Sequence, residues 1–232
     1  EIMPSLVGSE MCIRDRFQQI SDFEDSKTFQ KKLRSVWQLQ QHVSYCLFGS
    51  KKHLMNELFE KKNLPFYKFG DAIYLTKIET KYWIEYICKR FENTGKHISP
   101  ELAEEICRLV DNHSSYVQQL SWLLWIRTIN TATTEQLTYA LEDLLDQNNI
   151  LFQSETENLS AYQMNFLKAI VDGIHTKFSS KEVISKYNLG TSANIVRLKN
   201  ALLQKELIET NGKEIVLADP VFGVWFKKEM LY

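Results

Sequence analysis

Residues able to do chemistry are few in this chain of 232, and they are scattered. None of the five histidines has a nucleophile or a metal-ligand neighbour at useful spacing. The four cysteines, Cys12, Cys46, Cys88 and Cys107, form no C-x-x-C pair and have no histidine at zinc spacing. They read as reduced thiols, with Cys88 and Cys107 on apolar helix faces. No G-x-x-x-x-G-K-[ST] occurs, so the backbone cradle and lysine that hold phosphates are missing. Neither a stand-alone enzyme nor a metal site is expected. Three spots remain. Gly49-Ser50-Lys51 follows a strand-like run, and a hydroxyl at a strand's C-terminal edge faces the crevice where open α/β sheets bind ligands. Ser50 suits equally a helix N-cap there. Arg34 lies beside Lys31 and Lys32 on one helix, which reads first as a solvated basic face. Asn194, Arg197, Lys199 and Gln204 on a later helix, with Lys213 in the hairpin after it, are the residue types that contact phosphates and base edges.

The elements that must position these residues change style along the chain. Residues 25–41 put Phe29, Leu33, Val36 and Gln40 on one stripe with Trp37 beside it, a helix packed on one side. Val43 to Ser50 is an almost unbroken apolar run, the pattern of a strand buried on both faces of a parallel sheet. "KHLMNELF" reads as a short helix, and Asp71 to Ile78 as a second buried strand. Strand, helix, strand implies a parallel α/β layer. Two strands are too few for a stable sheet of this kind, so the layer reads as incomplete on its N-terminal side.

From Glu79 the pattern is helical. Ile84, Ile87, Cys88 and Phe91 share one face. Ser99 and Pro100 open a helix striped by Leu102, Ile106, Leu109 and Val110. The next helix is apolar on two sides, with Tyr116, Leu120, Leu123 and Leu124 on one and Trp122 and Trp125 on the other, which predicts a central place in a bundle. A capping box from Thr133 to Gln136 opens the fourth helix, lined by Leu137, Leu141, Leu144 and Leu145. "FQSETENLS", Phe152 to Ser160, reads as a linker. Capping boxes at Ser160–Gln163 and Ser179–Glu182 then open two helices, and Gly173 is placed to end the first. "NLGTS" supplies the glycine of a helix-turn-helix before a third. Asn211-Gly212 marks a hairpin. Three helices and a hairpin is the winged-helix order.

Three blocks in sequence, "LRSVWQLQQHVSYCLFGSKKHLMNELF", "PFYKFGDAIYLTKI" and "SSYVQQLSWLLW", resemble the second half of the archaeal- and bacterial-type ATPases of the AAA+/STAND group. The resemblance runs from about Phe17 to Trp225, and "ADPVFGVWF" fits the family's usual ending. It implies a P-loop core, then a helical lid, then a winged helix. The expected fold is mainly α with a small α/β remnant: a truncated P-loop NTPase core at 17–78, a four-helix lid at 79–152 and a winged helix at 158–232. ATP and Mg²⁺ serve the intact family; neither is expected for this fragment, which is expected to be inactive.

In that family an apolar strand ending in Asp-Glu precedes the position of Phe17. The Asp helps hold Mg²⁺ and the Glu helps polarise the attacking water. Arg14-Asp15-Arg16 stands there instead. Asp15 falls in register with the Asp, but Arg16 cannot act as a base, and Arg14 interrupts the strand with a charge that is costly to bury. "LVGSEMCIRDR" also resembles a translated sequencing-adapter remnant, so residues 1–16 are expected to be non-native. The resemblance further places Ser50 at sensor 1, which reads the γ-phosphate, with Lys51 as the neighbouring cation. It lets the helix of Arg34 present an arginine finger to a neighbouring subunit. His113-Ser114 lies where the family often has a His-Pro motif beside the adenine. The proline is absent, so Ser114 or Ser115 is expected to cap a helix instead.

The totals narrow the partners. The chain is 44% hydrophobic and 25% charged, with a net charge of −1, and has only eight glycines and four prolines. No charge excess demands nucleic acid or membrane. No apolar run is long enough to cross a bilayer and no signal peptide is visible, so a cytoplasmic location is expected. Residues 158–232 hold ten Lys and Arg against seven Asp and Glu, a net of +3 that is modest for a DNA-binding domain. The expected partners are the chain's own missing ATPase core and a second copy or a signalling protein. DNA is the alternative.

Overall fold

Phe17, Trp37 and Phe66 collect into one small core, with Tyr45, Phe59 and Phe69 packed against it. In this computed structural model, which describes residues 10–14, 17–49 and 52–230, they belong to the first of two units, residues 1–75. Strand β1 (Glu10–Arg14) pairs parallel with β2 (Val43–Leu47), Glu10 opposite Val43 and Arg14 opposite Leu47. A 3-10 segment, Phe17–Asp22, leads into α1 (Ser26–Trp37), and α2 (Lys52–Glu60) follows β2. Phe17, Ile20, Trp37, Leu58 and Phe66 form the core. Trp37 stacks on Tyr45 with ring centroids 4.4 Å apart, and Phe17 meets Phe66 edge-on at 5.3 Å.

Three expectations for this unit are corrected. The buried face of α1 holds Gln30 and Trp37, two turns apart, while Phe29 and Val36 are exposed. Gln30 donates to Ser26 Oγ at 2.7 Å, and its Oε1 has no partner among the described residues. Strand β2 is covered on one face only: Val43, Tyr45 and Leu47 are half-buried, and Ser44 and Cys46 are exposed. Asp71 to Ile78 forms no strand. A strand exists only beside a neighbour that shares its hydrogen bonds, and none pairs with it among the described residues.

The second unit, residues 76–232, contains the expected helices. Helices α3 (Thr80–Glu92), α4 (Pro100–Leu109), α5 (Ser114–Arg127) and α6 (Thr134–Glu157) pack through Ile87, Phe91, Ile106, Leu120, Leu124 and Leu144. Ser99 caps α4 by accepting from Leu102 N–H at 3.2 Å. Thr133 and Gln136 close the capping box on α6. His97 and Thr131 form a parallel bridge that clips the α3–α4 loop to the α5–α6 loop. Helix α5 is one-sided rather than central, because Trp122 is 57% exposed and Trp125 half-buried. The expected linker is helix as far as Glu157: Phe152 is buried in the core and Thr156 Oγ1 bonds back to Phe152 O at 3.1 Å.

Then come α7 (Ala161–Val171), α8 (Lys181–Tyr187), α9 (Ser192–Gln204), the antiparallel hairpin β3 (Ile208–Asn211) and β4 (Glu214–Leu217), and a closing helix α10 (Pro220–Met230). Ser160 and Gln163 form the predicted capping box on α7. For α8 the cap is Ser180, one residue later than expected, which accepts from Val183 N–H. Asn188 and Gly190 both take left-handed backbone in the turn before α9. The hairpin turn is Gly212-Lys213, with only Gly212 at positive φ, as a II′ turn requires. No helix among the described residues is long and apolar enough to cross a membrane.

Candidate functional site

Asp15, Ser50 and Lys51 lie outside the described residues, so the strand-end site is bounded only by its neighbours. Gly49 follows β2, and Phe48 O accepts from Phe17 N–H at 3.1 Å. Arg34 is half-buried and turned inward. Its guanidinium donates to the carbonyls of Pro65 and, at 3.1 Å, of Tyr67, and lies 5.5 Å from the centre of the Phe69 ring. That pins the turn carrying Phe66 against the core, a task for which a planar fork of donors is suited. Neither a solvated basic face nor a projecting finger describes this arrangement. Beside it lies a groove of about 620 Å³, walled by Trp37, Tyr45, Leu47, Phe59 and Phe69 and closed by Gly70 to Leu75.

The sequence holds no phosphate cradle, and no group of three His, Cys, Asp or Glu among the described residues is placed to hold a metal ion. Burial pushes the Cys107 thiol up to about 11 and raises that of Cys88, which leaves both as protonated, unreactive groups.

The strongest polar constellation joins the four-helix bundle to α10. Asp219 caps α10: its Oδ1 accepts from Val221 N–H at 2.8 Å and Phe222 N–H at 3.0 Å, with Pro220 at the first helical position. Its Oδ2 accepts from Tyr116 O–H of α5 at 2.5 Å. Burial, and then the bond to Asp219, hold the Tyr116 phenol far above its ordinary value. Glu155 of α6 is raised too, by burial and then by the charge of Asp219. Alongside, Trp225 Nε1–H donates to Asn149 Oδ1 at 2.8 Å, and Phe152, Phe222 and Trp225 pack ring against ring at 5.4–5.8 Å. His113, not Ser114 or Ser115, occupies the N-cap of α5. Its ring lies 4.8 Å from Tyr116, with Nδ1 buried and unpartnered among the described residues. Sequence reasoning missed this constellation. Asp219-Pro220 before an apolar run is a helix-start signal that was legible; the pairing with Tyr116, 103 residues away, was not.

On the winged helix, Arg197, Gln204 and Lys213 are exposed and make no hydrogen bond or ion pair with a described residue, and Lys199 is half-buried. Asn194 is committed internally: its Nδ2 donates to Leu189 O at 3.0 Å and packs over Gly190, where an added Cβ would lie 3.2 Å away.

A family model described as a probable winged helix domain matches residues 150–228. No curated protein matches the chain. Among solved structures, a Walker-type ATPase of Pyrococcus abyssi is similar with a TM-score of 0.73 at 17% identity, covering 95% of this chain and 64% of that one. The chain thus spans a little under two thirds of that ATPase. The RuvB Holliday junction branch migration motor of Thermotoga maritima aligns over 96% of this chain and 70% of that one, at 12% identity and a TM-score of 0.47. The chain is therefore mostly helical, similar in fold to a P-loop ATPase, with a winged helix domain in its C-terminal region.

Proposed function

We propose that this chain is the lid and winged-helix end of an ATP-binding and ATP-hydrolysing signalling ATPase of the AAA+/STAND kind, and that alone it neither binds ATP tightly nor hydrolyses it. The supporting observation is a likeness to an ATPase fold across 95% of a chain that contains no Walker A sequence. In this reading residues 17–78 are the end of the core, 79–152 the lid and 158–232 the winged helix. Ser50 and Lys51 sense nucleotide at the end of β2. Residues 1–16 are foreign to the natural protein, and Asp15 has no part in catalysis. Arg34 holds the core together and is not a finger. The winged helix reports the state of the core to a partner protein, moving with the lid as one body through the Tyr116–Asp219 contact. The coding sequence upstream of Phe17 in the source genome tests this. It should encode a Walker A motif, further strands and an apolar run ending in Asp-Glu directly before Phe17. A genome that encodes "LVGSEMCIRDR" in frame, with no Walker A upstream, would overturn it.

A second reading, direct DNA recognition, draws on the exposed and unpartnered Arg197, Gln204 and Lys213. If it holds, duplex affinity falls with salt, and Arg197→Ala and Lys199→Ala each lower the salt slope by about one. Absence of duplex binding at low salt removes it.

A further inference from the structure

We infer that the hollow between α7, β4 and α10 binds a free aliphatic carboxylate, a small molecule with one anionic head and a hydrocarbon tail. The hollow measures about 450 Å³, within the span of small-molecule sites. Ile170, Val171, Val216, Leu217 and Val224 wall it, a largely aliphatic surface. Gly223 lets α10 approach β4 closely: a Cβ there would meet Leu217 Cδ1 at 2.7 Å. His175 is fixed at the side of the hollow. Its Nδ1 donates to Ile215 O at 3.1 Å, and its carbonyl accepts from Ile215 N–H at 2.9 Å.

Charge at the rim selects the ligand. Asp111 is answered by Lys77. Lys227, one turn along α10 from Gly223, is exposed and makes no hydrogen bond or ion pair with a described residue. The hollow therefore keeps one uncompensated cation above aliphatic walls. A carboxylate completes it, and an ammonium is repelled. Aliphatic walls give a sugar or a free phosphate no further partners, whereas a hydrocarbon tail gains from each methylene it buries. The position also matters for the fold. Pro220 of the hollow follows Asp219, and Asp111 lies in the turn leading into α5, the helix of Tyr116. A bound ligand thus touches both sides of the Tyr116–Asp219 contact and stabilises the attachment of the winged helix to the four-helix bundle.

The probe is octanoate, titrated by calorimetry into the whole chain at neutral pH. Octanol serves as the uncharged control and octylamine as the control of opposite charge. Octanoate should bind one to one with a Kd below about 1 mM. It should slow amide exchange at residues 170–175 and 215–224. Octanol and octylamine should each bind about fivefold more weakly or worse. Lys227→Gln, a change on an exposed side chain, should weaken octanoate about fivefold and leave octanol unchanged. Val224→Phe, which fills the hollow, should weaken both. The inference is overturned if octanoate fails to saturate below about 10 mM, if octanol binds as tightly, or if the protected amides lie elsewhere. Full octanoate affinity in Lys227→Gln also overturns it, which keeps the test decisive should Val224→Phe not fold. None of these readouts involves ATP, so the outcome does not depend on the function proposed above.

Discussion

The phenol of Tyr116 donates to the carboxylate of Asp219 at 2.5 Å, and that carboxylate at the same time caps α10 through Val221 and Phe222. One acidic side chain therefore holds both the start of the last helix and its attachment to the four-helix bundle. Tyr116→Phe keeps the ring and removes the donor. It should cost about 1.5–3 kcal/mol, the usual range for a hydrogen bond to a charged group. Trp225→Ala, at the aromatic end of the same junction, should cost about 3–5 kcal/mol. Urea denaturation of the purified chain measures both. A Tyr116→Phe midpoint equal to that of the unaltered chain would show that the contact does not hold the junction.

Glu155 gives a pH dependence of definite sign. Its carboxyl is raised by burial and then by Asp219, so the folded chain keeps the proton to higher pH than the unfolded chain. Stability from this group is present at low pH and falls as pH rises from the ordinary carboxylate value through the raised one. Glu155→Gln should accordingly raise the melting temperature at neutral pH and make no difference below about pH 4. A variant that melts lower at neutral pH would reverse the sign.

Arg34 separates a structural role from a catalytic one. Its bonds to Pro65 and Tyr67 carbonyls predict that Arg34→Ala destabilises the first unit by about 1.5 kcal/mol and speeds amide exchange in residues 64–69. Arg34→Lys should recover little, since an ammonium cannot span two carbonyls as a planar fork does. Unchanged exchange in both variants would return Arg34 to the surface roles read from sequence.

Local signals in the sequence were reliable where the cause is local. The caps at Ser99, Thr133 and Ser160, the glycine of the helix-turn-helix and the hairpin near Gly212 all appear as read. Expectations failed where a distant neighbour decides. Ile73 and Leu75 have the composition of a buried strand, yet no strand flanks them among the described residues. Ser154 and Thr156 read as linker, but burial of Phe152 against Phe222 and Trp225 extends the helix through them. Phe29 and Val36 read as a packing stripe, whereas Gln30 and Trp37 face the core. Of the candidate sites, Arg197, Gln204 and Lys213 are exposed as expected, Asn194 is occupied by its own turn, and Asp15, Ser50 and Lys51 fall outside the described residues.

The most direct measurement is a titration of the purified chain with a fluorescent ATP analogue, with and without Mg²⁺. A chain without the glycine-rich cradle has no backbone donors to wrap the phosphates, so fluorescence should stay flat through the micromolar range. Saturable, Mg²⁺-dependent binding at micromolar analogue would contradict the account, because it would mean that this chain by itself holds a complete nucleotide site.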